Sequence, residues 1–241
     1  PAGWRAGFGR LLYRHHKMTG KVTDMSLRFD LYYTMRSPYC YLATPFLAEL
    51  VRDYQVDCDL RPVYPLAVSD PSFFTKVNPL FVSYLAMDTA RVAERHGIPY
   101  RWPQPDPVVQ DLETRKIAEE QPYIQRLTRL AVAAQERGRG LPFVVEVSGM
   151  IFGGVDDWHL GDHLAGAVAR AGLDLGELDA AIAADPDGYQ GVAAENRQSQ
   201  LAAGHWGAPL MVFEGEPFFG QDRLDLFKWR LEQRGLQPRT G

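Results

Sequence analysis

Two strand patterns bracket one helix pattern near the start of the chain, and this arrangement limits the fold more than any other feature. Residues 27–34, LRFDLYYT, are rich in aromatic residues and stop before Ser37-Pro38, which reads as a strand. Residues 56–64, VDCDLRPVY, alternate. Val56, Cys58 and Leu60 point one way and Asp57, Asp59 and Arg61 the other, so this is a second strand with one buried face. Between them Ser37 stands where a helix N-cap belongs and Pro38 where the first helical residue belongs. Leu42, Phe46, Leu47, Leu50, Val51 and Tyr54 then recur on one face, which predicts a helix over 38–54, with Pro45 as an internal kink. Two strands joined through a helix run parallel, and the crossover is right-handed.

The strand signal then disappears for about 140 residues and returns near the end. Residues 79–97 predict a helix with Leu80, Tyr84, Met87, Ala90 and Val92 facing inward. Four prolines in 98–109 make an extended connector, and 111–137, rich in Ala and Arg, predicts a long helix. Further helices are expected over 158–172, 174–184 and 187–203, punctuated by Gly172, Asp185-Pro186 and Gly204. PLMVFEG and EPFFG flank Glu214-Gly215-Glu216 as a hairpin, and 221–235 form a last amphipathic helix with Leu224, Phe227 and Leu231 inward and Gly235 as its stop. The two chain ends therefore close one sheet. Residues 26–69 and 205–241 form an α/β unit, and 70–204 form an inserted all-helical domain.

A net charge of −4 gives no support for nucleic-acid binding, and no apolar run approaches the ~20 residues of a membrane-spanning helix. Two cysteines make no disulfide framework, which suggests a reducing, cytoplasmic setting. His159 and His163 have a metal-ligand spacing but no third ligand motif nearby, so no metal is expected. Residues 1–24 hold Arg5, Arg10, Arg14, Lys17 and Lys21 against one acid, Asp24. Arg10 interrupts their apolar stretch, so they read as a disordered basic leader before a domain that starts near Met25.

Ser37-Pro38-Tyr39-Cys40-Tyr41-Leu42 looks like a Cys-x-x-Cys redox motif with serine in the first sulfur position. Together with Leu60-Arg61-Pro62, Asn78-Pro79, Gly207-Ala208-Pro209 and Phe219-Gly220-Gln221-Asp222-Arg223-Leu224, in this order and spacing, it carries a resemblance over about 26–235. The chain resembles the thioredoxin-like fold with a helical insertion, the DsbA-like group. Within it, the likeness is to the 2-hydroxychromene-2-carboxylate isomerases and kappa-class glutathione transferases. That resemblance implies glutathione as cofactor and a cis peptide before Pro209, with the Ala208 backbone pairing with the bound tripeptide.

A serine at a helix start is by itself an ordinary cap. Its hydroxyl, with the partial positive charge of the helix N-terminus, can also hold an anion. The resemblance implies that the anion is the glutathione thiolate and that Ser37 is the catalytic residue. Cys40 and Cys58 read as core residues. Asp222 alone is routine helix-dipole chemistry; the resemblance implies that Gln221 and Asp222 hold the γ-glutamyl end and that Asn78 contacts the thiol end. Tyr39, Tyr41 and Trp206 are candidate pocket walls, and Arg36 and His205 candidate partners for an anionic substrate. Thr34 stands where the family often has an acid, and Arg36 where it has an apolar residue. The expected activity is a glutathione-dependent isomerisation of an aromatic-degradation-type small molecule. A glutathione transferase, a thiol–disulfide oxidoreductase and a non-catalytic binding protein are the alternatives. A homodimer is the default assembly.

Overall fold

The structure, a computed structural model, describes residues 26–240 apart from 73–75, 79, 112, 113 and 115. The basic leader lies outside the described residues. Strand β1 (Leu27–Tyr33) pairs in parallel with β2 (Val56–Pro62), joined through helix α1 (Pro38–Asp53). On its other side β1 pairs antiparallel with β3 (Leu210–Phe213), which pairs antiparallel with β4 (Glu216–Phe219). The sheet order is β2-β1-β3-β4, closed by the two chain ends as the strand patterns required. The hairpin turns through Glu214 (φ 51°) and Gly215 (φ 80°), the two left-handed residues of a tight two-residue connection.

Side chains alternate across β1. Phe29, Leu31 and Tyr33 join the main core, and Tyr32 packs with Val63, Leu210 and Val212 on the opposite face. A 3₁₀ turn over Gln221–Arg223 leads into the C-terminal helix Leu224–Glu232, which buries Leu224, Phe227 and Leu231. Phe227 meets Phe29 edge-on at 4.9 Å. Among the described residues, no helix is long and apolar enough to cross a membrane.

Between the two strand pairs lie α2 (Leu66–Ser69), α3 (Leu80–His96), α4 (Pro122–Glu136), α5 (Gly140–Phe152), α6 (His163–Arg170), α7 (Leu175–Ala184) and α8 (Pro186–Ala202); the C-terminal helix is α9. Helix α5 is absent from the sequence expectations, yet it packs on α1, α4, α6 and β2. Tyr33 of the sheet and Ser148 of α5 share a buried hydroxyl pair at 2.6 Å. The core of the sheet and that of the helices form one continuous cluster.

Three expectations are corrected. The helix expected over 111–137 starts at Pro122. Ahead of it, the buried Gln121 amide accepts the Val109 N–H and donates to the Val109 and Ala118 carbonyls, bonds that replace a continuing helical pattern at Gln121. The helix expected from 158 starts at His163, because Trp158 is buried with its indole N–H on the Pro105 carbonyl. On α3 the inward residues are Leu85, Thr89 and Ala93, while Leu80, Tyr84 and Met87 are exposed and Ala90 faces out. Helix α3 makes its main helix contact with α1, and that narrow seam admits one i, i+4 row of mostly small residues.

Helix α5 begins at Gly140, where a side chain would run into Gln135 Oε1 and lie 2.9 Å from Leu60 Cβ. Gln135 cannot move away cheaply, because its amide accepts from Leu60 N–H and donates to Asp59, covering the outer edge of β2. Gly140→Ala is expected to destabilise the fold by about 1–3 kcal/mol, the usual cost of overpacking, read as a lower urea midpoint at unchanged slope.

Candidate active site

β1 ends at Tyr33, and the chain turns through Thr34, Met35 and Arg36 into α1. β3 runs the other way beside β1, with Tyr32 opposite Leu210, so the segment that enters β3 meets the start of α1. That segment is Gly207-Ala208-Pro209, and the Ala208–Pro209 peptide is cis. Ser37 caps α1, its Oγ accepting the Cys40 N–H at 3.3 Å. The same hydroxyl donates to the Ala208 carbonyl at 3.5 Å, a long and weak bond. Its proton is therefore held loosely and can turn to a stronger acceptor, beside backbone N–H groups that carry the positive end of α1.

Ser37 opens into a cavity of about 340 Å³, small but within the range of small-molecule sites. Its walls are mostly apolar: Pro38, Val63, Pro65, Leu66, Phe81, Leu85, Trp206 and Phe219 among them. Gly207 is required here, because a Cβ at that position would collide with the Phe219 ring.

Of the residues singled out from the sequence, Arg36, Ser37, Tyr39, Trp206 and Ala208 share this cavity. Tyr39 donates from its hydroxyl to Asp88 at 2.6 Å; burial, then Asp88, pushes its phenol pKa up. Arg36 is bound by both carboxylate oxygens of Asp106, at 3.0 and 3.2 Å, and lies over the Trp102 ring, so its charge is already answered.

Other candidates lie elsewhere. Tyr41 is buried, stacked on Phe152, and donates to the Pro99 carbonyl at 2.5 Å. His205 accepts the Gly207 N–H on Nδ1 at 2.9 Å and stacks on Phe219, with Trp206 beside both; burial lowers its pKa, and it braces the loop before Pro209. Asn78 is exposed and accepts the Leu80 N–H at 3.0 Å, opening α3. Gln221 and Asp222 line a second groove of about 390 Å³ beyond α1, together with Phe46, Glu49, Arg95 and His96. The two openings lie on different residues of the first half of α1, Pro38 and Tyr39 for the cavity and Leu42, Pro45, Phe46 and Glu49 for the groove.

Cys40 sits one turn into α1 with no exposed surface. Burial pushes its thiol up to about 12, against smaller lowering effects from the Thr34 backbone and the Ser37 hydroxyl. Burial, and then the acids Asp59, Asp30 and Asp57, also push Cys58 up. Sequence reasoning missed Arg197 and Gln200 of α8, which reach the cavity from the helical segment. Gln200 is fully buried and donates to the Gly207 carbonyl at 2.7 Å. A polar face on a helix of uncertain docking gave no signal for either.

The sequence matches the DSBA-like thioredoxin domain over residues 28–232. No curated protein sequence matches it. Among solved structures, a 2-hydroxychromene-2-carboxylate isomerase superposes with a TM-score of 0.66 at 19% identity, covering 86% of this chain and 95% of that one. A probable DsbA oxidoreductase from Streptomyces coelicolor gives 0.60 at 18%, covering 89% and 93%. The cytosolic disulfide reductase DsbM from Pseudomonas aeruginosa, solved with GSH, gives 0.56 at 17%, covering 86% and 98%. Such identities speak for a shared fold, and these neighbours include both isomerase and oxidoreductase chemistry. The family match spans the sheet, α1, the helices and the 3₁₀ turn described above, and the chain belongs to the DSBA-like thioredoxin domain family.

Proposed function

We propose that the protein is a glutathione-dependent isomerase that works with a borrowed thiolate. The observation that carries this reading is the pairing of Ser37 with Cys40. The group at the start of α1 that faces the cavity is a hydroxyl, and the thiol one turn on is buried and held protonated. A hydroxyl cannot exchange disulfides, but it can donate to a sulfur anion, and the helix N-terminus favours the same anion. The Ser37 proton would leave its long bond to Ala208 for the thiolate at little cost. The Ala208 backbone lies where an extended peptide could pair with it, and the apolar cavity offers a place for the conjugated substrate.

On this reading the thiolate adds to the substrate, a double bond becomes single and rotates, and the thiolate leaves again. Glutathione is regenerated, so the reaction needs no oxidant or reductant. A transferase, which keeps the adduct, would use the same residues.

Calorimetry with glutathione, followed by titration of the bound thiol through its ultraviolet absorbance, tests the proposal. The wild type is expected to bind and to lower the thiol pKa, and Ser37→Ala is expected to raise the bound value again by about 1–2, the worth of one hydrogen bond to a charged group. Absence of binding by the wild type would overturn it, and an equal bound pKa in both proteins would remove Ser37 from the chemistry.

The oxidoreductase alternative turns on Cys40. Burial both raises the Cys40 thiol to about 12 and covers its sulfur, so alkylation of native Cys40 by iodoacetamide is expected to be orders of magnitude slower than in urea. Comparable rates, read by mass spectrometry of the Cys40 peptide, would favour disulfide exchange. The sign for stability follows. Cys40 favours the fold fully below the unfolded thiol range near ~8.5 and loses that contribution as pH rises towards about 12, because the unfolded chain ionises first. The urea midpoint should fall across this window, and less steeply in Cys40→Ala.

A further inference from the structure

Helix α8 meets the sheet through polar side chains. Asn196 is buried and donates to the Pro62 carbonyl at 3.0 Å, and Ser199 shares a hydroxyl bond with Tyr32 at 2.7 Å. The apolar cluster on this face of the sheet is small: Tyr32, Val63, Leu210 and Val212, with Ala203 packed on it. Directed bonds therefore set the rotation of α8 against the sheet. The same helix reaches the loop ahead of β3. Gln200 has no exposed surface; its Nε2 donates to the Gly207 carbonyl at 2.7 Å, and its Oε1 accepts from Arg197 Nη1 at 2.8 Å. Only this orientation of the amide satisfies both ends, because a guanidinium can only donate and a carbonyl can only accept. Arg197 Nη1 also donates to the Trp206 carbonyl at 2.7 Å.

Within the loop, His205 Nδ1 accepts the Gly207 N–H at 2.9 Å. Side chains thus hold the Trp206 carbonyl and both the N–H and the carbonyl of Gly207. The next backbone donor, the Ala208 N–H, makes no hydrogen bond among the described residues. The Gly207 carbonyl and the Ala208 N–H belong to one planar trans peptide, so they point in opposite directions. With the carbonyl tied to Gln200, the N–H is turned away from α8, on a half-buried residue of the cavity wall.

We propose that Gln200 is a positioning residue for the cofactor: with Arg197 fixing its amide, it sets the Gly207–Ala208 peptide so that the Ala208 N–H is presented to an extended tripeptide. The donor is in place before the ligand arrives, so binding spends little on ordering the loop. Without Gln200 the buried Gly207 carbonyl has no partner, and the peptide gains by turning it towards water. The identity of the ligand rests on the glutathione reading. The setting of the loop by α8 does not.

The first arm of the test uses no cofactor: amide NMR of the isotope-labelled, full 241-residue chain. Wild type is expected to show a single signal for each of the Gly207 and Ala208 amides. In Gln200→Leu, close in volume but unable to hydrogen-bond, those signals are expected to split or broaden while those of β1 stay in place. Arg197→Met, which frees the Gln200 amide to turn, is expected to do the same more weakly. Unchanged loop signals in both variants would overturn the proposal. The second arm measures affinity by calorimetry for glutathione and for S-methylglutathione, whose sulfur cannot ionise. Gln200→Leu is expected to weaken both by about tenfold, the worth of one backbone hydrogen bond, and to leave the bound thiol pKa where wild type puts it. A loss confined to glutathione, or a bound thiol pKa that moves as in Ser37→Ala, would show Gln200 acting on the sulfur and would equally overturn the proposal. If wild type binds neither peptide, the cofactor reading falls, while the first arm still decides whether Gln200 sets the loop. Should Gln200→Leu fail to fold, Arg197→Met, at a half-buried position, carries both arms.

Discussion

The antiparallel register of β3 on β1 is the constraint from which the site follows. Tyr32 lies opposite Leu210, so the end of β1 and the beginning of β3 occupy the same edge of the sheet. The parallel partner β2 forces the chain to leave that edge through α1, whose first turn therefore stands over the entry to β3. A helix N-terminus with its unpaired N–H groups is brought against the segment Gly207-Ala208-Pro209 by topology alone. No long-range side-chain contact has to be invoked to bring Ser37 within 3.5 Å of the Ala208 carbonyl.

That geometry is shared by proteins that reduce, oxidise and isomerise, so the chemistry must come from which atoms fill it. Here a hydroxyl occupies the exposed position and a thiol the buried one. The same helix start would lower the pKa of a thiol placed at Ser37, but burial outweighs it three residues later. Position along one helical turn thus separates an anion-stabilising group from an inert one. A thiol-dependent reaction at this site has to receive its sulfur from outside, which is why the proposed cofactor is a thiol and not a metal or a nucleotide.

How far the sequence was legible depended on how many neighbours each element has. β2 alternates because it has a distinct pair of faces, the final hairpin is marked by its Glu214-Gly215-Glu216 turn, and α9 shows a 3.6 period because it buries one face. Helix α5 was invisible. Sheet, α1, α4 and α6 surround it, so GLPFVVEVSGMIF has little polar face to betray its period, and its valines suggest no helix. Helix α3 failed in the opposite way: it carries more apolar residues than its narrow buried seam holds, so Leu80, Tyr84 and Met87 were read as core and stand outside. The site followed the same rule. Ser37, Ala208 and Pro209 lie on loops fixed by strand order and were readable. Arg197 and Gln200 depend on how α8 is rotated against the sheet, which periodicity alone does not settle. Tyr41 and His205 sit beside the readable motifs, yet their side chains turn into packing.

Helix α1 also divides the surface around the site, and this bears on how a tripeptide could lie there. Pro38 and Tyr39 face the apolar cavity, whereas Leu42, Pro45, Phe46 and Glu49 face the groove that holds Gln221 and Asp222. The two sides differ in charge. The cavity has mostly apolar walls with Arg36 and Arg197; the groove has Glu49, Asp222 and Asp225 against Arg95 and His96. A γ-glutamyl end carries both an ammonium and a carboxylate, which suits a groove of mixed sign better than a mostly apolar cavity. On the proposed reading the tripeptide would therefore bend around the first turn of α1, sulfur at Ser37 and γ-glutamyl end towards Asp222. The cavity is then left to the electrophile. On that reading α1 would keep cofactor and substrate apart, with its first turn between them.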